Sequence, residues 1–525
     1  MRHSKIVGRS FGMMFLCAAL LLGVACGKKE GTPASEAPKS PPPKTEARAD
    51  DTSLVPPEGV SEAGSGGSGA TLMLPVSFQR RTGDLDEMLK VRNIRAIMLI
   101  NPISFFYVQG KPRGITYEAL EEFERFVNKK FNTGALKVKV SFIPMRADQV
   151  ETALKEGVGD VVAQGVFVTP AREEKFAFTA PVQTNVTQII VTGSELANVA
   201  SFDDLAGKPI YVNPLSTYYD NLNKISEERQ KAGKAPLVVK AADKNLMDDD
   251  LVEMVNAGVI PATATTKVRA DLWTQILPSI KAHPDMVVSS GGNLAWVVRK
   301  NNPELKKVLD EFVSTHAVGT SFGNTLMRRY LQNTKWIKNS TASEEMKKFA
   351  AYVEYFKKHA GQYNFDYLMI AAQAYQESML DQSKRSRVGA VGIMQVIPKY
   401  AAASPINVPN VNTADKNIEA GVKMLRNIAD TYFNDPAISQ VDKTLFTFAS
   451  YNAGPNRIVR LRKKAAEDGF DPNKWFGNVE LEVAEDIGQE TVGYISNIYK
   501  YYVAYKLTQE QNLEKQKALS AAGGK

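Results

Sequence analysis

The chain has 525 residues, 44% of them hydrophobic and 23% charged, which is enough for two or three domains with separate cores and is the composition of a globular protein, not a fibrous or integral membrane one. The net charge of +8 is a mild bias at this length, compatible with an anionic polymer or membrane surface and equally with lysines spread over solvated faces. There is no arginine-rich block and no nucleic-acid motif, so no nucleic-acid partner is expected.

In chain order, Arg2, Lys5 and Arg9 precede an apolar run over 11–24, too short to span a bilayer comfortably and followed by small residues, the pattern of an export signal. The segment Leu22-Gly23-Val24-Ala25-Cys26 resembles a bacterial lipobox, with Gly23 where that pattern usually has Leu. The resemblance implies a lipoprotein signal over 1–26 and lipidation of Cys26, a multi-chain anchor firmer than one acyl chain. Gly27 in place of an Asp implies sorting to the outer membrane, facing the periplasm. Cys17 and Cys26 are the two cysteines, so a processed chain keeps no thiol for a disulfide, zinc site or nucleophile. His3, His283, His316 and His359 show no metal-ligand spacing, and neither metal nor other cofactor is expected.

Residues 27–70 are polar, Pro-rich and then Gly/Ser-rich. Such a segment buries too little apolar surface to offset its ordering entropy. It reads as a disordered tether with an r.m.s. span of roughly 35–40 Å.

Over 71–320 strand and helix patterns alternate. Residues 94–100 and 138–143 read as strands, and 117–132 and 149–156 as helices, the first with Leu120, Phe123 and Phe126 on one face. Alternation of this kind predicts an α/β domain with a mostly parallel sheet. From 321 to 525 strand signals nearly vanish, and 346–359, 365–380, 415–432, 443–452 and 491–505 read as helices. Ile418, Val422, Leu425 and Ala429 share one face. This part is predicted to be all-α.

The helix over 365–380, with Asn364 as its expected N-cap and Asp366 in its first turn, is apolar nearly all round before Glu377, the mark of a buried helix. Ile370 and Ala374 precede Glu377 on its own face. Its carboxyl therefore leaves a poorly hydrated wall, and desolvation raises its pKa toward the range a general acid needs. Four patches follow one another here: Ala374-Tyr375-Gln376-Glu377-Ser378, Gly389 through Pro398 (GAVGIMQVIP), Ser450 through Gly454 (SYNAG), and Glu490-Thr491 with Tyr494. The ordered set resembles the catalytic domain of soluble lytic transglycosylases, a goose-lysozyme-like fold.

The resemblance implies cleavage of the β-1,4 bond between N-acetylmuramic acid and N-acetylglucosamine in peptidoglycan glycan strands, with Glu377 as acid and then base and a 1,6-anhydro end as product. It implies that Met394 and Gln395 line the substrate cleft, that Tyr451 and Asn452 bind sugar and N-acetyl groups, that Tyr494 hydrogen-bonds near the reacting centre and that Ser378 orients Glu377 or a substrate group. Most glycosidases need a second carboxylate. Asp381, one turn beyond Glu377, is expected to point toward the helix end, and a lone acid fits a transglycosylase better than a hydrolase. A hydrolytic muramidase and a wall-sensing lipoprotein that only holds glycan remain alternative readings.

The α/β part resembles the two-lobed extracellular solute-binding domains of the amino-acid type, through residues 157–181, with Asp160, Thr169 and Arg172, and through residues 293–313. Crossing strands near 187–192 and 286–290 would form the hinge. In such domains an arginine at the place of Arg172 clamps a carboxylate in bidentate fashion, and Ser216 and Thr217 at a helix start would donate to the same anion. A salt bridge within or between lobes is the other reading of Arg172. Phe167 and the run 263–266 stand where a ligand-contacting threonine and an acidic partner for an ammonium are expected, which points away from a free amino acid; sensing of a muropeptide or another small ligand, and mere positioning of the enzyme domain, are the readings left open. The fusion as a whole is similar to the membrane-bound lytic transglycosylase F family.

Overall fold

A computed structural model describes residues 80–99, 101, 103–108, 111–331 and 343–522. The export signal, Cys26 and the tether lie outside the described residues.

Eleven strands occur among the described residues: Asn93–Leu99 (β1), Phe106–Val108 (β2), Lys111–Arg113 (β3), Lys139–Met145 (β4), Val161–Phe167 (β5), Ala177–Phe178 (β6), Gln183–Gly193 (β7), Pro209–Val212 (β8), Val238–Ala241 (β9), Ala262–Thr266 (β10) and Ile280–Val298 (β11). One sheet has the order β4-β1-β5-β11-β7-β10-β8-β9, with β6 also on β11, while β2 and β3 form a separate pair. At one end β1 is parallel to β4 and β5; at the other β8 is parallel to β9 and β10. The long strands β7 and β11 join the two ends, paired antiparallel from Gln183 opposite Leu294 to Gly193 opposite Ile280. Both segments expected as hinge crossings fall on these strands. The sheet thus divides into two lobes.

Helix Ile115–Lys130 buries Leu120, Phe123 and Val127 in the first lobe, where Phe123 meets Trp296 and Phe312 edge-on. Asp160, part of the motif that carried the solute-binding resemblance, is a structural anion: it accepts from Arg95 Nη2 at 2.7 Å and Arg299 Nη2 at 3.2 Å. Paired and hydrogen-bonded in this way, its charge can be buried. Helix Ser321–Leu331, which the sequence pattern assigns to the all-α part, packs back on this lobe, with Arg329 and Tyr330 both bonded to Glu118.

The all-α part comprises helices Ser343–Gln362, Tyr367–Ser378, Pro398–Ala402, Ala414–Tyr432, Gln440–Ala453, Pro455–Glu467, Glu480–Asp486 and Gln489–Ala522. Pro455 opens a helix that was not predicted; Gly454-Pro455 reads as a stop, but proline is at home in a first turn, where its missing N–H is no loss. The all-α part docks on both lobes. Arg146 at the end of β4 lies 3.3 Å from Glu480 and also reaches Ser496 and the Asn245 carbonyl of the second lobe. Lys500 pairs with Glu253 of helix Asp248–Asn256 at 2.9 Å. All four charged side chains are nearly buried, and one apolar core runs from Leu251 and Met254 of the second lobe into the all-α helices. No helix among the described residues is long and apolar enough to cross a membrane.

Candidate active site

Helix Tyr367–Ser378 is held between helices Ser343–Gln362 and Gln489–Ala522. Its N-cap is Asp366, whose carboxylate accepts from Leu368 N at 2.9 Å, and not Asn364. Asn364 adopts a positive φ of 55° in the turn before the helix, two residues too early to cap it. Met379 ends the helix in the left-handed region, donating its N–H back to Tyr375 O at 2.7 Å. Glu377 therefore leaves the last turn of a buried helix, its side chain half-buried.

Packing around the Glu377 carboxyl raises its pKa from 4.5 to about 7; burial is the largest influence, opposed by a hydrogen bond from Tyr494 and by the charge of Lys384. Tyr494 Oη donates to Glu377 Oε1 at 2.6 Å, and Lys384 Nζ donates to the Glu377 carbonyl at 2.5 Å. No second carboxylate acts on this titration among the described residues. Asp381 sits beyond the helix with its carboxylate turned to Ser383 N at 2.8 Å and Ser383 Oγ at 2.6 Å.

The segment 389–397 is a loop that leads into helix Pro398–Ala402 and is clamped from three sides. Asn417 accepts from Met394 N at 2.7 Å and donates to Val391 O at 2.9 Å; Ser378 Oγ donates to Ile393 O at 2.8 Å; Tyr451 Oη donates to Met394 O at 2.9 Å. Gly392 has φ +77°, and a Cβ there would stand 2.5 Å from Asn417 Nδ2, so only glycine fits.

This geometry changes two expected roles. Ser378 is buried, with its hydroxyl on Ala374 O and Ile393 O, so it ties the acid's helix to the loop and does not orient the carboxyl. Met394 is fully buried and packs on Gly421, a core residue whose backbone, not side chain, meets Tyr451 and Asn417. Gln395 is half-buried with its amide on Gly392 O at 2.8 Å. Tyr451 lies close enough to Glu377 for the carboxylate to raise its pKa, after the larger effect of burial. Asn452 Oδ1 accepts from Thr491 Oγ1 at 2.8 Å, joining the third and fourth motifs. Asn417, Lys384 and Gln373 were missed: they lie outside the motifs or look like ordinary helix residues, and only the fold brings them in.

A second site lies in the α/β part, where a cavity of about 490 Å³ opens between the lobes and is lined by Arg172, Ser216 and Thr217 together with Phe167, Asp248 and Thr266. The three expected anion donors are engaged within the protein. Arg172 donates to Phe167 O at 3.0 Å and, across the cleft, to Leu215 O at 3.3 Å. Its guanidinium is a staple between lobes through carbonyls, neither a free clamp nor the alternative salt bridge. Ser216 caps its helix and donates to Asn213 O at 2.7 Å, and Thr217 Oγ1 accepts from Gln188 at 2.7 Å.

Comparison with known proteins defines the two halves. Residues 354–474 match the model described as "Transglycosylase SLT domain" and residues 96–321 that of "Bacterial extracellular solute-binding proteins, family 3". The chain is therefore a solute-binding-type α/β domain fused to a helical transglycosylase-type domain. Proteins named "Membrane-bound lytic murein transglycosylase F" from Shewanella halifaxensis (23% identical, 79% of this chain and 86% of that one) and Desulfosudis oleivorans (26%, 80% and 91%) are similar over the same two domains. Among solved structures, an ancestral arginine-binding protein bound to arginine is 22% identical with a TM-score of 0.38, covering 45% of this chain and 97% of that one. Over 79–84% of its length the chain is thus similar to membrane-bound lytic transglycosylase F proteins.

Proposed function

We propose that this protein is a peptidoglycan lytic transglycosylase whose acid and base is Glu377. The carrying observation is a single carboxyl at the end of a buried helix, pushed up to about 7 by burial and bonded by Tyr494 at 2.6 Å. Glu377 protonates the glycosidic oxygen between N-acetylmuramic acid and N-acetylglucosamine. As the leaving sugar departs, the resulting carboxylate takes the proton of the muramoyl 6-hydroxyl, whose oxygen closes on C1. No water enters, so no second carboxylate is needed to activate one. The Gly389–Pro398 loop, Gln395, Tyr451 and Asn452 hold the glycan against Glu377. Glu377→Gln with folding preserved is expected to abolish release of soluble fragments from purified sacculi; retained activity would refute the assignment.

We further propose that Cys26 carries a lipid anchor to the outer membrane, in keeping with the relatives' membrane-bound naming, and that the inter-lobe cavity takes a small wall-derived ligand such as a muropeptide. Arg146 bonds Glu480, Ser496 and Asn245, and Lys500 lies on the same helix as Tyr494, so lobe movement would be felt at the catalytic helices. Muropeptides should raise the melting temperature and alter the rate; no change in either would remove this reading.

A further inference from the structure

One buried polar side chain beside Glu377 has no task in the reaction as described. Gln373 lies one turn before Glu377 on the same helix and is fully buried, among Ile370, Ala372 and Ala374. Its Nε2 donates to Tyr494 Oη at 3.2 Å, and Tyr494 Oη donates to Glu377 Oε1 at 2.6 Å. Its own Oε1 is buried with no hydrogen-bond partner among the described residues. Burying an unpaired amide oxygen is costly, and an apolar residue of the same size would avoid the cost. What an apolar residue would lose is the bond to Tyr494.

Building on the transglycosylase reading, we propose that Gln373 is a positioning residue: by donating to the Tyr494 oxygen it commits the phenol proton to Glu377 Oε1 and so keeps the transferable proton on Oε2. A phenol has one proton and can pass it either way. With the amide nitrogen facing it, the oxygen of Tyr494 accepts and its proton can go only to Glu377. With an amide oxygen facing it instead, Tyr494 would donate to Gln373 and accept from a protonated Oε1, holding the acid's proton inside the protein and away from the sugar. Donation by the amide also polarises the phenol and strengthens its bond to the carboxylate. That bond favours the charged form and opposes the upward push of burial.

The test is a cycle on purified peptidoglycan with Gln373→Met, Gln373→Leu, Tyr494→Phe and the double variants, recording kcat, KM, the pH profile and melting temperature. Each Gln373 variant is expected to lower kcat about fivefold with KM little changed. Each should also move the alkaline limb of activity upward by about half a pH unit. Melting temperature should hold or rise, since the unpaired oxygen is gone. In the Tyr494→Phe background the same substitutions should change neither rate nor profile, because Gln373 acts only through that hydroxyl. A fall in melting temperature with an unmoved pH limb would make Gln373 a packing residue and overturn the proposal, as would an equal loss of rate without the tyrosine hydroxyl. Absence of cleavage by the wild type would instead overturn the transglycosylase reading itself.

Discussion

Replacing Glu377 by glutamine should stabilise the protein while destroying its activity, and the size of the gain should depend on pH. Burial raises the carboxyl from 4.5 to about 7. Since the folded value is above the unfolded one, the group's contribution to stability is fully present below pH 4.5 and is lost as pH rises through 7. At about 1.4 kcal/mol per unit, that displacement amounts to about 3 kcal/mol. Glutamine has nearly the same shape and no charge to desolvate. The variant should therefore match the wild type at pH 4, pull ahead through pH 6, and lead by about 3 kcal/mol at pH 8, or about 6 °C in melting temperature for a domain of this size. Scanning calorimetry of both proteins at the three pH values measures it. Parallel curves, with a difference that does not grow between pH 4 and 8, would show that Glu377 is hydrated and would refute the desolvated-acid argument.

Gly392→Ala places a Cβ in a left-handed backbone and against Asn417, so it should cost about 1–3 kcal/mol and lower activity by shifting the Met394 backbone; urea unfolding and sacculus digestion measure the two effects. Arg146→Met leaves the Glu480 carboxylate buried without its cation and should destabilise by about 3–5 kcal/mol, whereas Arg146→Met with Glu480→Met should regain most of it. A single variant as stable as the wild type would contradict the account of how the domains are held together.

The desolvated Glu377 carboxyl and its neighbour Tyr494 were legible because both sit in motifs whose order survives the distance between them, and because the helix before Glu377 announces its burial in its own composition. The alternation of strands and helices was legible because period and segment length are local properties, and the two crossing strands were placed by the resemblance to solute-binding domains. Side-chain roles set by distant backbone were not. Ser378, Met394 and Arg172 all fall at motif positions, yet Ile393 O, Gly421 and Leu215 O, none of them adjacent in sequence, decide what they do. Gln373 reads as a polar break in an apolar helix until helix Gln489–Ala522 brings Tyr494 over it. The contact of Arg146 and Lys500 with the facing domain leaves no trace in local pattern, since a buried cation and a solvated one look alike in sequence.

Mass spectrometry of sacculi digested by the wild type, with Glu377→Gln beside it, tests the lone-acid chemistry most directly. The account predicts muramoyl fragments lighter by one water than their hydrolytic counterparts, ending in 1,6-anhydro rings, and none from the variant. Reducing ends from the wild type would mean that water is the acceptor and that a second group must activate it.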